Sequence, residues 1–289
     1  MKTRRRSAFS LIEIMVSVTL LLLIVAGLLV VFNYTTRALR SAHNSTDVFE
    51  GARALVTLVS RDFSQMSPAG ETDYASINLF ITNMTSLEMI SPDGTTNFNR
   101  LSDVFFIARQ TDGWIGTGYF VDRSLSDSVG TLYRFDVATN GPVPHFEWIR
   151  WFTNAAVGDS NVHRVADGVV HFHPKTYDIK GRFYWEFPFS GWLNTSNAVN
   201  LPLDVVEDIR TNVLVTADGR LSRFQESYIP AFVEIEIGIL EPEATRKFNA
   251  IGALDSAAAQ NFLTDQIGKV HLFRQRVAIR NHIQPPAFD

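Results

Sequence analysis

The chain has 289 residues with seven His and no Cys, 46% hydrophobic and 19% charged, at a formal net charge of -4. That composition suits a folded protein with material for at least one core, and it argues against extended disorder. The acidic balance argues against a nucleic-acid binder, and the lack of Cys excludes disulfides, thiolate metal sites and a cysteine nucleophile.

The amino terminus opens with Lys2, Arg4, Arg5 and Arg6 and no acid. From Phe9 to Phe32 come 24 residues whose only charge is Glu13. As a helix they span about 36 Å, enough to cross a bilayer core of about 30 Å. The basic flank predicts a single pass with the amino terminus in the cytoplasm and the remainder exported. A cleaved secretory signal has a shorter apolar stretch ending in a small-x-small site, and "NYTTRALRS" offers none. A carboxylate within such a span costs about 2.5–3.5 kcal/mol on insertion scales, so Glu13 calls for a function or for a shallow position from which it snorkels to the interface.

Beyond the span, Val48, Ala52, Leu55, Val56, Val59, Phe63 and Met66 recur at steps of three and four, with Arg53, Ser60, Arg61 and Asp62 as polar positions. This predicts an amphipathic continuation of the helix over 33–66, serving as the spine of an exported head. Pro68 and Gly70 end it.

Residues 67–289 read as one α+β domain rich in short strands. The runs "INLFI" (77–81), "VFFIA" (104–108), "GYFVD" (118–122), "TLYRF" (131–135), "HFEWIRWF" (145–152), "VVHFH" (169–173) and "RFYWEF" (182–187) are aromatic or β-branched and bounded by turn residues. In "VEIEIGI" (233–239) the alternation places Val233, Ile235, Ile237 and Ile239 on one face and Glu234 and Glu236 on a wet one. A short helix opens at Asp255 or Ser256 and closes at Gly268, "KVHLFRQRVAIRN" supplies the last strand, and "HIQPPAFD" is a frayed tail.

His171 and His173 at spacing two share a strand face able to supply two metal ligands, but neighbouring residues complete no set and a polar strand face explains them as well. "GETD" (70–73) and "SPDGTTN" (91–97) carry oxygens for calcium yet read better as turns. "GTGYF" (116–120) lacks the third glycine and the helix of a phosphate loop, and no G-x-S-x-G occurs. Glu234 and Glu236 pair on one face, which suits a solvated sheet better than acid–base work. Trp148, Trp151 and Trp185 read as core or interface anchors. No enzymatic activity, cofactor or metal is expected.

The stretch "A-FSLIEIMVSVTLLLL" resembles the amino-terminal signature of type IV pilins and type II secretion pseudopilins. The resemblance implies a leader over 1–8, cleavage by a prepilin peptidase between Ala8 and Phe9, methylation of the new amine of Phe9, and a transmembrane and assembly helix over 9–32. Glu13 matches the acidic fifth position of the family and is implied to set register against the amine of a neighbouring subunit. The family usually has Gly where this chain has Ala8, which implies slower cleavage. Implied partners are other pilin-like subunits, the peptidase and an inner-membrane assembly platform.

"TLYRF", "GVVHFHPKTYD" and "YIPAFVEIEIGILEP" further resemble the layout of J-type minor pseudopilins. The expected fold is therefore pilin-like, a long helix packed on a mainly antiparallel sheet, and the expected role is a minor structural subunit. Two alternatives stay open: a tethered exported enzyme or ligand-binding domain, and a DNA-uptake minor pilin, which would want a basic patch on its head.

Overall fold

The computed structural model describes residues 11–69, 77–90, 96–123, 128–139, 145–181, 205–207, 213–216, 221–225, 229–253 and 255–281. The chain falls into two units, Met1–Asp47 and Val48–Asp289. A 54-residue helix, α1 (Leu11–Ser64), supplies residues to both.

In the first unit, the large apolar side chains of α1 from Leu11 to Phe32 are all exposed. In the second unit, the three-and-four spacing has the packing role the sequence predicts. Val48, Ala52, Leu55, Val59 and Phe63 are buried in one core with strand residues such as Leu79, Val104, Phe106, Phe172 and Ile237. Phe63 stacks on Phe106 at 4.5 Å between ring centroids. Fully burying a side chain of this size stabilises by about 1.5–3 kcal/mol, so this stripe is a principal reason the helix is held on the sheet. The helix stops at Ser64, just before Pro68. The Asn281 side-chain amide donates to the Met66 carbonyl at 3.0 Å and the Ser67 hydroxyl at 2.8 Å, fixing the chain where it leaves the helix.

The strands are β1 (Ile77–Ile90), β2 (Thr96–Gln110), β3 (Gly113–Asp122), β4 (Gly130–Thr139), β5 (Val162–Tyr177), β6 (Val205–Glu207), β7 (Val213–Thr216), β8 (Leu221–Gln225), β9 (Phe232–Leu240) and β10 (Val270–Ala278). They form one sheet in the order β10-β9-β5-β4-β3-β2-β1-β8-β7-β6. Every neighbouring pair in that order is antiparallel. One parallel bridge, Leu101 to Phe172, additionally joins β2 to β5. The protein is thus α+β, a long amino-terminal helix followed by a mostly antiparallel sheet. The segment "RFYWEF" lies outside the described residues.

Three helices complete the described fold: α2 (His145–Thr153), α3 (Pro242–Gly252) and α4 (Ser256–Asp265). The first corrects the strand expected at 145–152. Its composition is that of a strand, but Trp148, Ile149 and Phe152 are spaced to share one helical face, and all three are buried in a second core with Phe105 and Phe135. The glycines of "GTGYF" explain how the helix fits. A Cβ on Gly116 would lie 2.5 Å from the Trp148 ring, and one on Gly118 would lie 2.4 Å from the Phe152 ring. The motif is a seat for α2, not a phosphate loop. Trp148 is core as expected, whereas Trp151 faces outward.

Helix α3 was not expected. Pro242 occupies its first turn, where a missing N–H costs nothing, and Ala244 and Phe248 turn into a third core with Val170, Leu240 and Leu263. Helix α4 opens as expected: the Asp255 carboxylate caps it by accepting from the backbone N–H groups of Ala257 and Ala258. It ends at Asp265, and a single 3-10 turn, Ile267–Lys269, leads into β10.

Candidate functional site

The sequence points to the amino-terminal part of α1. Leu11 to Phe32 is 22 residues, about 33 Å of helix. Leu11 is 78% exposed, and the most apolar 18-residue window has a mean hydropathy of 3.0 with none of it buried. Among the described residues, this is the one helix long and apolar enough to cross a membrane.

Its few polar groups are handled locally. The Ser17 hydroxyl donates to the Glu13 carbonyl at 2.7 Å, Thr19 to the Val16 carbonyl at 2.9 Å, and Thr35 to the Val31 carbonyl at 2.9 Å. In lipid every polar group must find such a partner, so these hydroxyls are compatible with a span. Glu13 lies in the first turn of α1, where the helix dipole favours an anion. Ala8 and Phe9 lie outside the described residues.

Among the described residues the head carries two polar networks built around buried acids, neither of which the sequence pattern isolates. Asp62, expected on the polar side of α1, is instead buried. It accepts from the Tyr119 hydroxyl at 2.8 Å and from Arg134 Nε at 2.7 Å. Arg134 also donates to Asp136 at 2.9 Å, and His163 lies 3.2 Å from the same Asp136 oxygen. Burial, then the Asp62 charge, pushes the Tyr119 hydroxyl well above its ordinary range, so it stays a donor. Burial alone would lower Arg134, but Asp62 holds it above its ordinary value. The network pins the end of α1 to β3 and β4.

The second network corrects the wet face expected for β9. Glu236 is only 4% exposed. It meets Lys175 Nζ at 2.8 Å, Arg274 at 2.5 Å and His171 Nε2 at 3.6 Å. Burial by itself would raise this carboxyl, yet hydrogen bonds from His171 and Lys175, and the charges of Lys175 and Arg274, hold it well below the usual carboxylate range. Glu234 pairs more loosely with Arg274 and Arg276, at 3.8 Å from each.

His171 and His173 belong to the same network. His171 Nδ1 accepts from the Arg100 backbone N–H at 3.1 Å. The buried His173 lies 3.4 Å from the Ser102 hydroxyl and 3.3 Å from Arg100. Burial first, then the nearby charges of Arg100, His171 and Lys175, lowers the His173 pKa to about 3. The register that sets His173 opposite Glu236 supplies the carboxylate that the local sequence around the histidines lacks. Lys175 and Arg274 occupy that carboxylate, and the described residues hold no group of three or more His, Asp or Glu suited to a metal ion. The loops "GETD" and "SPDG" fall outside the described residues.

A third acid, half-buried, stands apart. Asp103 lies 3.5 Å from Arg123, and its Oδ1 has no hydrogen-bond partner. Burial raises its pKa to about 6 against the opposing pull of Arg123 and the Val121 backbone.

Comparison with known families bears on the first segment alone. The family model for the prokaryotic N-terminal methylation motif matches residues 3–29. The match covers Ala8, Phe9 and Glu13 and runs into the exposed apolar part of α1. This motif and the apolar helix behind it support a type IV pilin-like or pseudopilin subunit, processed by a prepilin peptidase, assembled with other pilin subunits and anchored to a membrane. No curated protein and no solved structure matches the chain.

Proposed function

We propose that the protein is a minor, non-enzymatic structural subunit of a type II secretion pseudopilus or a type IV pilus-like fibre, of the J-type layout. The precursor sits in the inner membrane with its head exported. Prepilin peptidase cuts between Ala8 and Phe9, Phe9 is methylated, and the assembly platform moves the helix into a fibre. Removing the leader with its four basic residues takes the formal charge from -4 to about -8.

The observation that carries this reading is the overlap of the methylation motif at residues 3–29 with an exposed apolar helix bearing Glu13 in its first turn. A cationic terminal amine from a neighbouring subunit is the natural counter-ion for an acid in a bundle of spans, and it would fix axial register. The large head favours a tip-proximal place over a repeated shaft, because bulky heads stack poorly at close spacing.

Mass spectrometry of the membrane fraction tests the processing step, with a mature chain starting at methylated Phe9 as the expected result. An intact Met1 with turnover or ligand binding by the head would establish the tethered enzyme or binding domain instead. Glu13→Leu tests the register role: the variant should be cleaved as wild type but fail to enter fibres. Normal incorporation would sink that role.

A further inference from the structure

The sheet ends at β10, and this end differs in charge from the rest of the chain. Residues 266–281 contain Lys269, Arg274, Arg276 and Arg280 and no Asp or Glu, in a protein of net charge -4. All four cations are exposed. Against them and Lys175 stand Glu234, Glu236 and Glu241, while Glu243, close enough to feel Lys269, is paired with Lys247 at 2.9 Å, so the strip keeps an excess of positive charge. Glu234 and Glu236, with the Tyr177 ring 4.0 Å under Arg276, hold the Arg274 and Arg276 guanidinium groups along the strand without covering them: the side chains remain 59% and 42% exposed.

The backbone of β10 suits a template. It pairs with β9 over nine consecutive positions, Val270↔Leu240 to Ala278↔Phe232, with no bulge and no proline. Among the described residues no strand lies on its other edge. Natural edges of this length are commonly blunted by bulges, prolines or covering elements, because an open ladder of N–H and C=O groups recruits another strand. Apolar surface flanks it. Leu272 is 59% exposed, and Phe49 of α1, 51% exposed, meets the rings of His271 and Phe273 at 5.0 and 5.7 Å.

We propose that the β10 edge docks an extended acidic segment of a partner protein, which adds to the sheet as a further strand. Backbone hydrogen bonds would give affinity, and Arg274 and Arg276, two residues apart, would select acids at alternate positions of the partner. A second copy of β10 is a poor occupant, since antiparallel self-pairing sets arginine against arginine. The inference stands apart from the fibre reading, because it concerns the head alone.

Fluorescence anisotropy with the full-length protein in detergent tests it, using a labelled nonapeptide of alternating Glu and Thr. Its controls are the Lys–Thr counterpart, two Glu–Thr peptides N-methylated at odd or even residues, and a nine-nucleotide single-stranded DNA. The Glu–Thr peptide should bind at least tenfold tighter than the Lys–Thr one. One of the N-methylated peptides should lose at least tenfold, because a strand offers alternate N–H groups to each side. Lys269→Gln with Arg280→Gln, outside the Glu236 network, should weaken binding about three- to tenfold, and raising salt from 50 to 300 mM should weaken it too. Absence of binding, equal binding of both N-methylated peptides, tighter binding of the DNA, or self-association that excludes the peptide would each overturn the proposal.

Discussion

Asp103→Asn should stabilise the head at neutral pH and make it less sensitive to pH. The folded protein holds this carboxyl at a pKa of about 6 against its ordinary value of 3.8, so between those values the folded state binds more protons than the unfolded chain. Stability contributed by the site therefore falls as pH rises through that window, and the penalty is complete above it. Linkage puts the penalty at about 3 kcal/mol at pH 7.5 and roughly half that at pH 5. Asn keeps an acceptor for the Val121 N–H but gives up the attraction to Arg123, which lies 3.5 Å away with about a quarter of each side chain exposed. Solvent screening and that lost pair trim the gain to about 1–2 kcal/mol at pH 7.5. Urea unfolding of full-length wild type and variant in detergent, followed by tryptophan fluorescence from residues such as the buried Trp148, gives the difference at pH 7.5, 6 and 5. The advantage of the variant should shrink to about zero by pH 5. A difference that stays constant across the series, or a variant less stable at pH 7.5, would refute the reasoning.

His173→Gln should act in the opposite direction. A pKa lowered to about 3 means that acid destabilises the folded state as pH falls below 6.5, by about 2 kcal/mol at pH 5. The variant should lose less stability than wild type between pH 7 and 5 in the same urea series. Gly118→Ala drives a Cβ to 2.4 Å from the Phe152 ring, so calorimetry should show a loss of about 1–3 kcal/mol or more, whereas an unchanged transition would mean that α2 is not seated on β3. Tyr119→Phe removes the 2.8 Å donor to Asp62 and should cost about 1–3 kcal/mol in urea unfolding.

The features legible in the sequence are those whose cause is local. The apolar run with Glu13 needs only its own residues to be read, and so does the spacing from Val48 to Phe63 that seats α1 in the head. The Asp255 cap lies within three residues of the groups it satisfies. The features that are not legible there depend on partners distant in sequence. "HFEWIRWF" has the composition of a strand, and only the two glycines of β3, some thirty residues earlier, show that a helix is to rest there. The one-and-four spacing of Trp148, Ile149 and Phe152 was the signal available, and the aromatic content masked it.

Asp62 and Glu236 show the same limit for charges. An acid beside an apolar stripe, or alternating with isoleucines, reads as solvated because alternation reports which face a side chain takes and not what covers it. The partners of Asp62 lie 57 and 72 residues away, on β3 and β4. Those of Glu236 arrive from β5 and β10, each brought by a register that no local window contains. Each acid is tolerable inside because the fold delivers cations or donors within about 3 Å of it. Asp103 is the contrasting case: its nearest cation, Arg123, stops at 3.5 Å, whereas Glu236 has Lys175 at 2.8 Å and Arg274 at 2.5 Å. Burial therefore raises its pKa where Glu236 is lowered, and the same type of side chain ends on opposite sides of its ordinary range.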